Sequence, residues 1–382
     1  MRFVHISDSH LGAQTFTRKL SPSGINQREE DICNSFSCAI DKIIELKPDF
    51  VLHSGDLFHS VRPTNRIVHF GIQQLLKLSK TDIPLVIISG NHDTPKQTGV
   101  GSVFRLFTLF DGIYPVYQDK YEKITIKNSA IHAIPHCVKK ESFQEELEKI
   151  KIDSAVKHNI LMLHGVVAGI PEFSRGELSE QEISSSYFKK GFDYVALGHY
   201  HRFCQVEENV YYSGSTERLS ISELGEEKGF IQVNLENKET RMSQEIKFHQ
   251  VPTREMIELT AVDAASSDQD DIYKRIEQRI SSNDIKEKIV RLKVKNIDPS
   301  VYNSLNFRKI AELKKEAFYF DLKLERKEYE GKALSEKPSI GKLNREFEEY
   351  VKSIVIEGLD KNKILEMGLE YLFKEEVVGD RE

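Results

Sequence analysis

An α/β fold, two facing mixed β-sheets flanked by helices, is predicted by three features of this 382-residue chain. Strand and helix patterns alternate from the first residues to about residue 250, as in a layered α/β domain. From Tyr211 to Phe248 short strands predominate, separated by Gly214, Gly225 and Gly229, so an α/β half is followed by a β-rich half. Five apolar runs end directly in clusters of Gly, Asp, Asn and His, which delivers polar groups to one edge of a sheet.

The first run is Phe3-Val4-His5-Ile6, ending in Ser7-Asp8-Ser9-His10. A helix is expected from Asp31 to Lys47, where Ile32, Phe36, Ala39, Ile40 and Ile43 recur at the spacing of one face and Pro48 stops it. The second strand, Phe50-Val51-Leu52-His53, leads into Ser54-Gly55-Asp56, and Pro63 opens a second helix. Pro84 precedes Leu85-Val86-Ile87-Ile88, and Gly90 provides the turn into Asn91-His92-Asp93. A hairpin is expected between Tyr121 and Pro135, around Lys127-Asn128-Ser129. Ile160-Leu161-Met162-Leu163 runs into His164-Gly165, and a polar loop, Gly169 to Gln181, is placed to border the site. The fifth run, Tyr194-Val195-Ala196-Leu197, ends in Gly198-His199-Tyr200-His201. Residues two apart on an extended segment share a side, so His199 and His201 face one way and Tyr200 packs the other.

Past Val251-Pro252 the pattern changes. Met256–Thr260, Asp268–Ser282, Ile289–Val294, Ser300–Lys315 and Phe318–Leu324 read as strand, helix, strand, helix and strand, with no Asp/His cluster. Gly331–Lys342 lacks periodicity and reads as a linker. Two amphipathic helices follow, with Phe347, Tyr350, Val351 and Ile354 on one and Ile364, Leu365, Leu369 and Leu372 on the other. The expected domains are therefore 1–252, a small α+β domain at 253–328, a linker at 329–342 and a helix-loop-helix at 343–382.

Hydrophobic content of 39%, charged content of 30% and the absence of tryptophan describe a globular chain. No apolar run approaches the roughly 20 residues that cross a bilayer, so no membrane association is expected. Met1-Arg2-Phe3-Val4 enters a strand at once, which leaves no room for a signal peptide. Cys33, Cys38, Cys137 and Cys204 lack C-x-x-C spacing and read as reduced thiols. A cytoplasmic location is expected. The net charge of −6 excludes a generally basic nucleic-acid binder but not a local basic face.

Asp8, His10, Asp56, Asn91, His164, His199 and His201 offer oxygen and imidazole donors without thiolate, a set suited to manganese, iron or zinc. Seven ligands exceed one ordinary site and match two ions that share a carboxylate, with Asp56 as the bridge. Such a pair clamps a phosphate for in-line attack. His92, next to a presumed ligand and before Asp93, is placed to protonate a leaving oxygen. His59 could support a ligand, contact a phosphate or cap a helix. His5, His53 and His132 are expected in strand interiors, and His69, His158 and His249 on a helix or at the surface.

In this order, D-x-H, G-D, G-N-H-D, H-G and G-H-x-H resemble the calcineurin-like metallophosphoesterases. The strings His5-Ile6-Ser7-Asp8-Ser9-His10-Leu11-Gly12, His53-Ser54-Gly55-Asp56-Leu57-Phe58-His59-Ser60-Val61-Arg62-Pro63 and Tyr212-Ser213-Gly214-Ser215 narrow this. They are similar to the meiotic-recombination-eleven (SbcD-like) nucleases, with no departure at any ligand position. The resemblance implies that Asp8, His10, Asp56 and His201 hold one ion and Asp56, Asn91, His164 and His199 the other. His92 would be the general acid, steadied by Asp93. It also implies two Mn2+ ions per subunit (Mg2+, Fe2+ or Zn2+ being the alternatives), with 3′-to-5′ exonuclease action on duplex DNA ends and endonuclease action on single strands or hairpins. A DNA-capping domain, a homodimer and an SMC-like ABC ATPase of the SbcC type, bound through the C-terminal helices, complete the expectation; a prokaryotic version would be nucleoid-associated. The residues alone leave open a phosphatase or small phosphodiesterase on the same core, and a scaffold that tethers DNA ends.

The helix after Pro63 carries Ile67, Val68, Phe70, Ile72, Leu75, Leu76 and Leu78, and Val103–Phe110 is similarly apolar. Apolar residues on nearly every side predict a second buried face and a two-fold dimer.

Overall fold

The computed structural model describes residues 1–16, 19–174, 176, 180–238, 241–327, 351, 362–365 and 367. Residues 1–326 form one compact unit and 327–382 another. The expected linker at 329–342 lies outside the described residues, as do Phe347, Tyr350, Ile354, Leu369 and Leu372 of the expected terminal helices; Val351 and residues 362–365 are helical.

Two six-stranded sheets dominate the first unit. One is ordered Arg241–Gln250, Gly229–Lys238, Arg2–Ile6, Val51–His53, Leu85–Ile88, Ile113–Val116. Its last four strands are mutually parallel, while the first two form an antiparallel hairpin against them. The other is ordered Cys204–Glu207, Val210–Tyr212, Tyr194–Gly198, His158–His164, Ser129–Ala133, Glu122–Ile126, with four parallel central strands and an antiparallel strand at each edge.

Alternation along each strand builds the layers. Phe3, Phe50, Leu52, Val86 and Ile88 from the first sheet pack with Ile131, Ile160, Met162, Tyr194 and Ala196 from the second in a core between them. Val4, Ile6, Val51 and Ile87 point outward, under the Gln27–Leu46 and Asn65–Ser79 helices. The second sheet turns Leu161, Leu163, Val195 and Leu197 toward the Lys140–Glu148 helix and the Ser185–Lys190 3-10 segment. The two facing sheets flanked by helices are as expected.

Several boundaries differ from the sequence reading. The first helix begins at Gln27 rather than Asp31, because the Asn26 side chain accepts from Arg28 N and Glu29 N and caps it. The strands between Gly229 and Gln250 are long, ten residues each, because they pair with one another along their whole length. His158 and His249 are buried, not surface residues; His249 stacks on Phe230 at 5.2 Å. His5, His53 and His132 are interior as expected.

Residues Met256–Asp263, Ile289–Ile297 and Tyr319–Arg326 form a three-stranded parallel sheet, crossed by the Gln269–Ser281 helix. The second expected helix is two, Pro299–Ser304 and Phe307–Leu313, because Asn306 leaves the helical path and caps the latter through Arg308 N and Lys309 N. This sheet has its own core around Leu259, Ile272, Ile276 and Leu292. Arg254 ties it to the first helix, gripping both oxygens of Asp31 from a position 4.0 Å over the Phe318 ring.

Candidate metal centre

Parallel strands ending side by side bring their following loops together, which is where open α/β sheets collect ligands. Here the loops after Arg2–Ile6 and Val51–His53 continue the pairing as irregular backbone. Ser54 N donates to Ile6 O (2.9 Å), Asp8 N to Gly55 O (3.0 Å), His10 N to Asp56 O (3.0 Å) and Leu11 N to Leu57 O (2.8 Å). This ladder holds conformations that side chains rarely adopt: φ is +53° at Asp8, +44° at His10 and +54° at Asp56, with +98° at His199 on the facing sheet. Glycine is required where the loops meet. A Cβ on Gly90 would lie 2.2 Å from Asp56 Oδ1, and one on Gly198 1.9 Å from Ser54 O.

All seven expected ligands converge, none more than 7% exposed. Asp56 Oδ2 lies 3.6 Å from His10 Nε2 and 3.3 Å from His164 Nε2, the position of a shared ligand. On one side His10 Nε2 meets His201 Nε2 at 3.0 Å, and donor atoms of Asp8, His10 and His201 lie within 4.8 Å of one another. On the other, Asn91 Oδ1 sits 2.9 Å from His164 Nε2 and 3.1 Å from His199 Nδ1.

These ligands are themselves held. Ser213, from the Tyr212-Ser213-Gly214-Ser215 string, meets Ser7 Oγ at 2.7 Å, and Ser7 Oγ donates to Asp8 Oδ2 at 2.5 Å. His199 N donates to both Asp8 oxygens (3.0 and 3.1 Å). His201 Nδ1 lies 3.0 Å from Glu223 Oε1, whose Oε2 meets the buried Lys228 Nζ at 2.8 Å. Lys228 Nζ also donates to the His201 carbonyl at 2.8 Å, closing a ring around that ligand. Burial opposes ionisation of Glu223, but His201 and Lys228 hold its carboxyl well below the usual range. His199 Nε2 lies 3.2 Å from Glu180 Oε1, at the end of the polar loop expected to border the site. Tyr200 packs away as expected, against Phe173 and Tyr212.

His92 N donates to Asp56 Oδ1 at 2.9 Å, so its backbone is tied to the central carboxylate. Its ring stacks on His59 at 5.1 Å and meets His10 edge-on at 4.8 Å, and His59 Nδ1 lies 3.2 Å from His10 Nδ1. His92 Nδ1 lies 3.2 Å from the His59 carbonyl. Asp93 accepts from Gly90 N (2.6 Å) and Phe58 N (3.2 Å), which braces the loop carrying Asn91 and His92.

The donor arrangement fits divalent metal. A carbonyl only accepts, so His164 Nδ1, 2.8 Å from Ser54 O, carries its proton. The neutral ring then aims the Nε2 lone pair at the oxygens of Asn91 and Asp56, which repel it unless a proton or a cation lies between. Burial lowers the proton affinity of His164, yet the Asp56 charge outweighs it and raises the ring to about 10. The same logic fixes His201: Nδ1–H faces Glu223, so Nε2 points bare at His10 Nε2. Oxygen and imidazole donors without thiolate complete the match.

Glu223, Lys228 and Glu180 do not stand out in the sequence. Glu223 is 22 residues from the histidine it orients and Glu180 is 19 from its own, and no spacing rule connects them.

A family model for calcineurin-like phosphoesterases matches residues 1–203, which contain every expected ligand. The chain is 34% identical over 238 residues to the DNA double-strand break repair protein Mre11 of Methanococcus maripaludis, covering 60% of each. It is 34% identical over 282 residues to the protein of that name from Methanocaldococcus jannaschii, covering 70% of this chain and 71% of the relative. The Thermoplasma acidophilum counterpart is 27% identical over 301 residues, at 74% and 73% coverage. The alignments thus leave more than a quarter of each relative unmatched. The chain belongs to the calcineurin-like phosphoesterase family, in its Mre11 branch.

Proposed function

We propose that this chain is a manganese-dependent DNA nuclease of a double-strand-break repair complex. The observation that carries the reading is Asp56 Oδ2 standing between His10 and His164 with the His92 ring alongside. That is a phosphoester-cleaving arrangement, and the relatives named for double-strand break repair direct it to DNA. Asp8, His10, Asp56 and His201 hold one ion, and Asp56, Asn91, His164 and His199 the other. The metal pair supplies Lewis acidity toward the scissile phosphate and a nucleophile at neutral pH. The buried walls exclude water from the ligands and keep them oriented between turnovers.

His92 moves the proton. A carbonyl only accepts, so Nδ1 keeps its proton toward the His59 carbonyl; the doubly protonated ring gives its second proton from Nε2 to the departing oxygen and is left neutral, with Nδ1–H in place. The substrates are duplex ends, cut 3′ to 5′, and single strands or hairpins, cut internally. The 253–328 domain covers DNA, and the 343–382 tail binds an SMC-like ABC ATPase of the SbcC type. The chain works in the cytoplasm, on the nucleoid, as a homodimer. Leu106 and Leu109, 40% and 76% exposed beside the Asn65–Ser79 helix's core partners, support that last assignment.

His92→Ser tests the catalytic reading. Cleavage of duplex and single-stranded DNA with manganese falls about 10²–10⁴-fold, while manganese affinity by calorimetry and DNA affinity stay at wild-type values. Cleavage by the variant within tenfold of wild type refutes the proton-donor role. Phosphopeptide and nucleotide-ester assays run in parallel decide substrate: turnover of these but not of DNA refutes the nuclease.

A further inference from the structure

A cavity of about 210 Å³ beside the metal centre is lined by Thr94, Lys96, His136, Lys140, Glu180 and Gln181, among others. It shares walls with the ligands. Glu180 is the residue 3.2 Å from His199 Nε2, and His136 N donates at 2.8 Å to Ser89 O, just before Gly90-Asn91. Thr94, Lys96 and Val138 also line an adjoining hollow of about 620 Å³, to which Lys139, Ser102 and Ser142 contribute.

Three independent features give this cavity the character of an anion site. Lys96 and Lys140 are exposed along it, and Lys139 is exposed at the adjoining hollow. The nine-residue Lys140–Glu148 helix starts at its wall, and its N-cap, Lys139, makes no side-chain hydrogen bond to the first turn. Those N–H groups and the positive end of the helix dipole therefore lack the usual local acceptor. His136, only 5% exposed, lines the cavity with Nδ1 lacking any hydrogen-bond partner among the described residues, a cost that a bound polar group removes. The acids nearby are engaged. Glu180 accepts from Ser174 Oγ at 2.5 Å and faces His199, while Asp119 accepts from Val138 N at 3.4 Å. Glu141, in the helix's first turn, lines neither cavity.

We propose that this cavity is a second phosphate subsite, which holds a backbone phosphate of a single-stranded segment next to the scissile one. Lys96, Lys140 and the helix start take its oxygens, and His136 contributes a neutral ring at the wall. The subsite rests on the nuclease reading. It would fix the strand's register, so that the centre acts on a chain of phosphodiesters better than on an isolated one.

The test uses the full chain with manganese and two substrates: an oligothymidylate, and bis(p-nitrophenyl) phosphate, which has a single phosphate. For the double variant Lys96→Ala/Lys140→Ala the oligonucleotide KM rises roughly tenfold while turnover of the small diester stays within twofold. Binding measured by anisotropy in the His92→Ser background shows a salt slope shallower by about 0.7, the share of the one single-strand phosphate that the variant no longer neutralises. His136→Gln raises the oligonucleotide KM less, and Lys151→Ala, a lysine lining neither cavity, changes nothing. An unchanged KM and salt slope in the double variant, with the small diester still cleaved, overturns the subsite alone. Loss of inorganic phosphate binding without any change toward the oligonucleotide makes this a free-phosphate site and overturns the nucleic-acid assignment. Failure of the wild type to cleave either substrate overturns the nuclease reading and the subsite with it.

Discussion

Glu223 and Lys228 let the support of one metal ligand be measured apart from the ligand itself. Glu223 is 3% exposed and Lys228 1%. The carboxylate meets His201 Nδ1 at 3.0 Å, Lys228 Nζ at 2.8 Å and Leu219 N at 3.1 Å. Glu223→Ala removes all three partners' acceptor and leaves the buried ammonium with Glu226, which is partly exposed and 2.8 Å away. Breaking a buried pair by deleting one partner costs about 3–5 kcal/mol; because Glu226 remains, the lower end applies. Lys228→Met removes the stranded charge, so the double variant is less destabilised than the two single losses added together, by about 1–3 kcal/mol. Metal affinity follows a separate path. Without its acceptor the His201 ring is free to turn, which weakens manganese binding about 10–100-fold. Glu223→Gln keeps an oxygen for Nδ1–H and loses closer to tenfold. Urea unfolding supplies the first quantities and calorimetric titration with manganese the second. Wild-type manganese affinity in a folded Glu223→Ala protein would refute the claim that this carboxylate orients the ligand, and an unchanged urea midpoint would refute the buried-pair argument.

Gly198→Ala forces Ser54 O away from 1.9 Å to at least the 3.0 Å that real Cβ atoms respect, and Ser54 O is the acceptor that fixes His164. Overpacking of this kind costs about 1–3 kcal/mol, and manganese titration should show the ion at His164 weakened more than the other; an equal loss at both ions, relative to wild type, contradicts it. Asp31 concerns acid stability: burial raises its carboxyl, but Arg254 first and Arg28 next more than offset this and hold it below the usual range. A depressed folded pKa contributes stability that is present above the unfolded value near pH 4 and is lost as pH falls through the folded one. Asp31→Asn is therefore less stable at pH 7, by about 1.5–3 kcal/mol, and the gap to wild type narrows below pH 4; urea midpoints across pH check this, and a gap that widens in acid refutes it.

What the sequence discloses is what has a period or a punctuation mark. The strand ends are legible because an apolar run halting at Gly-Asp or Gly-Asn-His is local, and local patterns survive without coordinates. The first helix is legible from its apolar face at Ile32 onward; its opening turn is not, because Arg28 and Glu29, polar by type, are buried there. Buried charge is legible only through its partner. Arg28 faces Asp31 on its own helix but also Glu217, far along the chain, and only folding joins them. The histidines divide in the same way. His5 and His53 read correctly as interior, whereas His249 sits on an amphipathic strand whose inner face the sequence does not identify.

The left-handed backbone at Asp8, His10 and Asp56 carries a consequence for how the site forms. Such conformations cost of order 1–3 kcal/mol each where nothing compensates. At these positions the backbone hydrogen bonds between the two loops, from Asp8 N to Gly55 O and from His10 N to Asp56 O, provide compensation within the chain itself. The turns are thus supported by strand pairing that continues past the sheet, and that pairing braces the backbone that carries the ligands. It follows that changes to the loop ladder weaken both fold and site, whereas changes to Glu223 or Gly198 separate the two to different degrees.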